Sequence, residues 1–272
     1  MSYCIAQHGN LHLYALPALE NNYIWAIVNA LTSHVAIVDP GDAHVVMEWL
    51  AQQPSALSLK TVILTHHHYD HTDGLAELVA HFPDLTVYGP ASVQGITHPV
   101  GEESTCDVLG YTARVIETPA HTLDHVCYLI TPKTESAKSI LLTGDTLFMA
   151  GCGRLFEGTA EQMLINMERL AALSPDTAVY AGHEYTLSNL AFALAVEPYN
   201  TAIHTAKARA SAAKAKGQAT LPSFIGQERN INPFMRTHEP SVIHAIRQHT
   251  SRPTLEDPVT LFAALRHWKD TF

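Results

Sequence analysis

Basic residues are scarce in this chain, and so is charge of either sign. Lys and Arg number 16 against 26 Asp and Glu in 272 residues, and only 15% of positions are charged. A formal net charge of −10 and a pI near 5.9 leave no basic face of the kind that nucleic acid demands, although a local patch for a small anion stays open. Cysteine is equally thin. Cys4, Cys106, Cys127 and Cys152 are widely spaced and form no CxxC pair, so reduced thiols are expected rather than a disulfide framework. No apolar run approaches the ~20 residues needed to span a bilayer. The opening MSYCIAQHGN lacks the basic and apolar regions of a signal peptide. A soluble, cytoplasmic protein is the expectation. The glycine-rich stretch MAGCGRLFEG at 149–158 lacks the spacing of a phosphate-binding loop. No Ser/His/Asp or Cys/His arrangement offers a side-chain nucleophile.

Histidine, by contrast, is abundant, with 18 copies. Most must be incidental, so position decides which matter. Residues 65–74 read THHHYDHTDG and place His66, His67, His68, Asp70, His71 and Asp73 within ten positions. The run TVIL at 61–64 precedes them and reads as a buried strand. A helical pattern follows from Gly74, with Asp73 as its expected N-cap. The cluster therefore lies on a strand-to-helix loop at the carboxyl end of a strand, where open α/β sheets place their chemistry. A turn alone does not require so many nitrogen and oxygen donors. A metal does, and without a nearby cysteine the set suits zinc, iron or manganese.

The same pattern recurs downstream. Strands are expected at 11–16, 23–28, 35–38, 86–89, 114–118, 140–143 and 178–181, with helices between several of them, which indicates an α/β sheet. Residues 20–22 (Glu20, Asn21, Asn22) read as a turn, and Asp39 ends a strand in the sequence DPGD, which plain turn chemistry would also favour. His121, Asp145 and His183 each follow an apolar strand. Residues 43–53 and 160–173 have helical spacing, and 131–139 reads as a polar surface hairpin loop. After residue 186 strands disappear. Helices are expected to Val196, from Pro198 to Lys216, at 241–249 and at 258–269, with a long irregular connection at 221–236. A domain boundary is expected at 183/184. Arg266 and Lys269, three apart, share one helical face.

THHHYDH resembles the THxHxDH signature of the metallo-β-lactamase superfamily. GHEYT at 182–186 and the RxxKD ending at 266–270 extend the likeness, over nearly the whole chain, to glyoxalase II, the hydroxyacylglutathione hydrolases. The resemblance implies a four-layer αβ/βα metallo-β-lactamase-like sandwich over 1–183 and an α-helical substrate-binding domain over 184–272. It implies two divalent metals, zinc foremost with iron or manganese as alternatives. His66, His68 and His121 would hold one, Asp70, His71 and His183 the other, with Asp145 bridging. Spacing alone yields the clusters and not that partition. Asp39 would support the ligands from behind, and His125 would be supporting or structural. Asp70 and Asp145 would be catalytic. Arg154, Phe156, His183, Tyr185, Arg266 and Lys269 would bind substrate, Arg266 and Lys269 as a clamp on the glutathione carboxylate. Phe156 stands where the family commonly has Tyr, and Ala120 and Asp124 where it usually has glycine. The implied reaction is hydrolysis of S-(2-hydroxyacyl)glutathione, typically S-D-lactoylglutathione, to glutathione and D-lactate by a metal-bridging hydroxide, as in methylglyoxal detoxification. A monomer acting on a small-molecule thioester, with no nucleic-acid or membrane partner, is expected. Three alternatives share parts of this pattern. A glutathione-persulfide dioxygenase would use one iron on two His and one Asp, a β-lactamase or nuclease would share the metal core, and a non-catalytic metal-binding module would need no open pair of sites.

Overall fold

In the computed structural model, residues 4–53, 56–132 and 137–272 are described. Their contacts divide into two compact units built from interleaved segments. The first takes the chain up to Glu117, then Asp124–Gly144 and Tyr180–Glu184; the second takes Thr118–Leu123, Asp145–Val179 and Tyr185–Phe272.

The first unit opens with β1 (Cys4–His8), β2 (Leu11–Ala18), β3 (Asn22–Asn29) and β4 (His34–Val38), paired antiparallel in sequence order. After helix α1 (Ala43–Ala51), β5 (Ser58–Ile63) joins β4 in parallel. The one-turn helix α2 (Tyr69–Thr72) and α3 (Leu75–His81) lead to β6 (Thr86–Gly89) and β7 (His98–Pro99), which complete a seven-stranded sheet. Strand β3 is buried along its whole length. The core under α1 and α3 contains Ile24, Val28, Ile37, Val46, Trp49, Val62, Leu75, Leu78 and Val87. Four strands of a second sheet follow: β8 (Thr105–Val108), β9 (Tyr111–Glu117), β10 (Val126–Ile130) and β11 (Ile140–Gly144). Two buried polar tips join these sheets. The indole of Trp25 on β3 donates to the Ala181 carbonyl at 2.9 Å, and the Tyr128 hydroxyl on β10 donates to the Leu64 carbonyl at 2.7 Å. Such large aromatics can be buried because their single polar group finds a partner. The hairpin loop expected at 131–139 includes residues 133–136, outside those described; β10 and β11 on either side pair antiparallel.

The second unit contains the short hairpin β12 (Leu147–Phe148) and β13 (Gly151–Cys152), then helix α4 (Ala160–Ala171), started by a capping box between Thr159 and Gln162. Strand β14 (Ala178–Ala181) begins in this unit and ends in the first. Its first two residues pair with β15 (Ser223–Phe224). The remaining elements are helical: α5 (Thr186–Val196), α6 (Thr201–Ala215), α7 (Ile225–Ile231), a 3-10 turn at Pro233–Met235, α8 (Pro240–Thr250) and α9 (Pro258–Asp270).

Three expectations require correction. Helix α6 starts after Asn200, whose side chain caps the Ala202 amide, rather than at Pro198. Asp73 is not an N-cap: it continues the turn of α2 with φ −60°, and Gly74 opens α3. The connection at 221–236 is not irregular, since it holds β15, α7 and the 3-10 turn. Helix α7 is fixed by what its side chains reach. Arg229 donates to the carbonyls of Ala171 and Leu173, closing the end of α4. On the buried side of α7, Glu228 accepts from the Ala150 amide at 2.8 Å and from Asn232 Nδ2 at 3.1 Å. Asn232 Nδ2 also reaches the Phe148 and Gly151 carbonyls, so the β12–β13 hairpin is held by a two-residue clamp.

Burial pushes the Glu228 carboxyl up to about 7 from an ordinary 4.5. Below the unfolded value both states carry the proton, and Glu228 contributes no pH dependence. Between 4.5 and 7 the unfolded chain releases a proton that the folded chain keeps, so stability falls as pH rises. Above about 7 the cost is complete, on the order of 3 kcal/mol at ~1.4 kcal/mol per pH unit. Glu228→Gln keeps an acceptor for the Ala150 amide. It should raise the melting temperature by several degrees at pH 8 and leave it unchanged near pH 4, in thermal melts run side by side with wild type. An equal shift at both pH values would show that Glu228 is not the titrating group.

Candidate metal centre

The turn that ends β4 and the loop that follows β5 are fitted to each other. Asp39 has a left-handed backbone, φ +49°, which Asp tolerates better than most residues. This conformation brings its carboxylate under the next strand end. Oδ1 accepts from the Thr65 amide and Oδ2 from the Thr65 hydroxyl, both at 2.8 Å, and His71 Nδ1 lies 3.0 Å from Oδ2. The Thr65 hydroxyl has a single proton and spends it on Asp39, so its oxygen accepts from His66 Nδ1 at 3.0 Å. One carboxylate therefore places the ring proton of His71 directly, and that of His66 through Thr65. In both rings the lone pair is left on Nε2. Gly74 is needed for the same fit: a Cβ there would lie 2.5 Å from both the Pro40 carbonyl oxygen and the Ala43 amide nitrogen.

His183, just beyond β14, donates through Nδ1 to Asn21 Oδ1 at 2.7 Å, which again leaves Nε2 as the acceptor. Three acceptors then converge in the first unit. His71 Nε2 and His183 Nε2 are 3.3 Å apart, and they lie 3.5 and 3.4 Å from Asp70 Oδ2. Lone pairs facing one another at this separation repel unless a cation lies between them. Two donors each ~2.0–2.1 Å from a tetrahedral metal stand about 3.3 Å apart, so the triangle fits one. The His66 ring lies 4.2 Å from that of His71 and 4.7 Å from that of His68, centroid to centroid. His66 is fully buried and His68 partly so. His125 is buried and stacks on His66 at 4.9 Å, a supporting position. His67 is exposed and pairs with Asp124 at 2.9 Å; Asp124 also accepts from Ser92.

In the second unit His121 donates through Nδ1 to the Arg154 carbonyl at 3.0 Å, and its Nε2 lies 3.4 Å from Asp145 Oδ2. Both side chains are buried. This is the same separation as in the first triangle, and it suits two donors to one cation. Gly153 makes it possible. A Cβ at Gly153 would fall 2.0 Å from the Asp145 carbonyl oxygen and 3.1 Å from His121 Nδ1. Phe156 is 62% exposed and sets its ring edge against His121, 5.3 Å between centroids.

Family models of two descriptions match the chain. "Metallo-beta-lactamase superfamily" covers residues 20–183, and "Hydroxyacylglutathione hydrolase C-terminus" covers 184–272. A hydroxyacylglutathione hydrolase of Vibrio cholerae is 45% identical over 264 residues, spanning 96% of this chain and all of the relative. One of Shewanella baltica is 44% identical over 271 residues, with the same shares covered. The chain belongs to the hydroxyacylglutathione hydrolase family. Its fold is that of the metallo-β-lactamases, as in the solved structure of ETHE1 from Myxococcus xanthus, with a TM-score of 0.59, 23% identity and coverage of 92% of this chain and 94% of that one. The His/Asp cluster of this fold binds divalent metal.

The expected substrate-binding residues of the second unit divide into two groups. Arg154 is exposed, and its Nε lies 3.7 Å from Asp270 Oδ1. Tyr185 stands at the start of α5 with its ring edge-on to Phe148 at 5.1 Å. The Lys269 ammonium is 5.5 and 5.8 Å from the ring centres of Phe192 and Phe272. Burial, followed by the neighbouring charge of Arg266, holds its pKa below the usual lysine value. Arg266 is the more enclosed of the two residues expected to form a clamp. It is only 5% exposed, donates to the Cys152 carbonyl and to Asp270 Oδ1, both at 2.9 Å, and lies over the Phe234 ring. It belongs to the buried stripe of α9 with Leu261, Phe262 and Leu265, so its charge acts from inside by holding Asp270. Among the described residues, no helix is long and apolar enough to cross a membrane.

Sequence reasoning missed Asn21, Asn22, Thr65 and Glu228. Asn at a turn and Thr at a strand end read as ordinary local chemistry, and only the residue each touches sets it apart.

Proposed function

We propose that this protein hydrolyses the thioester bond of S-(2-hydroxyacyl)glutathiones, S-D-lactoylglutathione among them, releasing glutathione and a 2-hydroxy acid. One observation carries the chemistry: His66, His71, His121 and His183 each have Nδ1 committed to an acceptor, so their Nε2 atoms are left for cations. The family relationship supports the substrate.

His66, His68 and His121 would hold one metal, and Asp70, His71 and His183 the other, with Asp145 shared. The donor set of nitrogen and oxygen favours zinc, and iron or manganese also suit it. Bound there, two divalent cations lower the pKa of a water toward neutrality and polarise a carbonyl oxygen. Asp70 and Asp145 are the carboxylates able to orient an attacking water and take its proton. Arg154 and Lys269 receive the anionic glutathione part, with residues 184–272 as the substrate-binding region. Tyr185 and Phe156 flank that part, Phe156 through its ring and backbone. Arg266, from its buried position, holds Asp270, the residue next to Lys269. Binding energy from the glutathione part then positions the thioester carbonyl. Every residue in this scheme comes from one chain, so a monomer suffices.

The decisive assay is turnover of S-D-lactoylglutathione by purified protein, with metal content measured on the same sample. Turnover with about two metals per chain, abolished by chelation and restored by zinc, is the expected result. A fully metallated sample that leaves the thioester intact would overturn the proposal. Lys269→Ala should raise KM about tenfold, equivalent to ~1.4 kcal/mol, and leave kcat within a factor of about three. A fall in kcat with KM unchanged would remove Lys269 from the binding role.

A further inference from the structure

We infer that the turn Asn21–Asn22 is a positioning device for the Asp70–His71–His183 half of the metal centre: Asn21 sets the proton of His183 and Asn22 sets the carboxylate of Asp70. The inference rests on the metal-binding reading above and goes beyond it, because neither asparagine is a ligand.

The turn lies at the entrance to β3, the most buried strand of the sheet. Its backbone docks on the segment that carries His183. The Tyr23 amide donates to the Gly182 carbonyl at 2.8 Å, the Glu184 amide donates to the Asn21 carbonyl at 2.9 Å, and Asn22 forms an isolated antiparallel bridge with His183. The Tyr23 hydroxyl also donates to Glu184 Oε2 at 2.5 Å. These contacts fix where the two side chains can reach. Asn21 Oδ1 accepts from His183 Nδ1 at 2.7 Å. Asn22 is 7% exposed, and its Nδ2 donates both to Asp70 Oδ2 at 3.0 Å and to the Asp70 carbonyl at 3.1 Å.

The two amides act in opposite senses. Asn21 offers an oxygen and so holds the proton on Nδ1, leaving the His183 Nε2 lone pair directed at Asp70 and His71. Asn22 offers an N–H and so draws Asp70 Oδ2 into the triangle while pinning its peptide. A hydrophobic residue at 21 would free His183 to take the proton on Nε2, where it would repel a cation. An alanine at 22 would leave Asp70 free to choose another rotamer. Ligand-supporting hydrogen bonds of this type are typically worth 10–100-fold in metal affinity.

The test uses zinc-loaded full-length protein challenged with graded concentrations of a chromophoric chelator, with zinc per chain followed for wild type, Asn21→Leu, Asn21→Asp and Asn22→Ala. The Asp variant keeps an oxygen facing Nδ1. Asn21→Leu and Asn22→Ala should each release one zinc equivalent at about 10–100-fold lower chelator competition than wild type, and hold the remainder unchanged. Asn21→Asp should release zinc close to the wild-type profile. In nitrogen-15 spectra of the histidine rings, His183 should lose its slowly exchanging Nδ1–H signal in Asn21→Leu and keep it in Asn21→Asp. Release profiles of Asn21→Leu and Asn22→Ala that coincide with wild type, or a His183 Nδ1–H signal that persists in Asn21→Leu, would overturn the inference. Fewer than two zinc per wild-type chain would count against the binuclear reading, while the shift between wild type and variants would still decide the role of the turn.

Discussion

Asp145→Asn should leave a folded protein with less than about one-thousandth of the wild-type kcat/KM, a loss of ~4 kcal/mol in transition-state stabilisation. Asn is nearly isosteric with Asp, and the backbone there is held independently of the side chain. Gly144 adopts φ +44° just before it, and Gly153 leaves room for its carbonyl. The melting temperature of the metal-free variant should therefore stay within a few degrees of wild type. The charge is what changes. Of the seven proposed ligands only Asp70 and Asp145 are anionic, so the substitution removes half of the negative charge facing the cations. It also sets an amide that can turn an N–H toward them, 3.4 Å from His121 Nε2. Metal analysis of the same preparation should show less than the wild-type content. Wild-type metal content with kcat/KM reduced less than tenfold would remove Asp145 from the shared position.

The proposed ligands were legible in the sequence because each follows an apolar β-type run. His66 to His71 come after β5, His121 after β9, Asp145 after β11 and His183 after β14. Strand ends are where side chains leave the pleat and gather, and short apolar runs rich in β-branched residues mark the strands. What supports the ligands was less legible. By itself Asp39 reads as a turn acid, and only the resemblance gives it a supporting role; its hold on Thr65 and His71 depends on a left-handed backbone and on a parallel pairing of β4 with β5. Asn21 lies in the turn read there and Asn22 opens β3; their further role depends on His183, whose ring meets Asn21 across a separation of 162 residues, and on Asp70, which Asn22 holds.

Arg266, which the resemblance makes half of a carboxylate clamp, has surroundings that its sequence context does not announce. Its position one turn from Phe262 and next to Leu265 puts it on the buried face of α9. Helix α7 is seven residues long and contains a glycine, too short and too weak in propensity to announce itself. It exists because Glu228 and Arg229 are each held by partners distant in sequence. The compact units are legible least of all. Residues 118–123 and 145–179 associate with the C-terminal helices, and no change of composition marks those borders.

Gly41→Ala should be the most damaging single methyl addition in the first unit, and its damage should be read at the metal rather than at Gly41 itself. Gly41 has no positive φ, so an alanine backbone is acceptable there. The conflict is entirely steric. A Cβ would lie 1.9 Å from the Asp70 carbonyl oxygen, 2.5 Å from its carbon and 3.2 Å from its Cα. These are backbone atoms, which have no rotamer to escape into, so the peptide of Asp70 must move by roughly 1 Å or more to restore van der Waals separation. That movement pulls Asp70 Oδ2 off the triangle and takes the adjacent His71 away from Asp39. A displacement of this size at a site that needs positioning to within about 0.5 Å is expected to remove activity. It should also cost at least ~1–3 kcal/mol of stability, the range for overpacking a well-filled interior. Gly217→Ala is the control. Gly217 has φ +65° but nothing within 4 Å of the new Cβ, so only the left-handed backbone penalty of ~1 kcal/mol applies. Metal stoichiometry, kcat and melting temperature measured on both variants separate the two effects. Gly41→Ala should lose the metal proposed for Asp70, His71 and His183 and show little turnover, while Gly217→Ala should keep the wild-type metal content and turnover and melt only slightly lower. If Gly41→Ala retained full metal content and turnover, the turn after β4 would not be the mould for the ligand loop, and the Asp39–Pro40–Gly41 segment would be no more than a connection between β4 and α1.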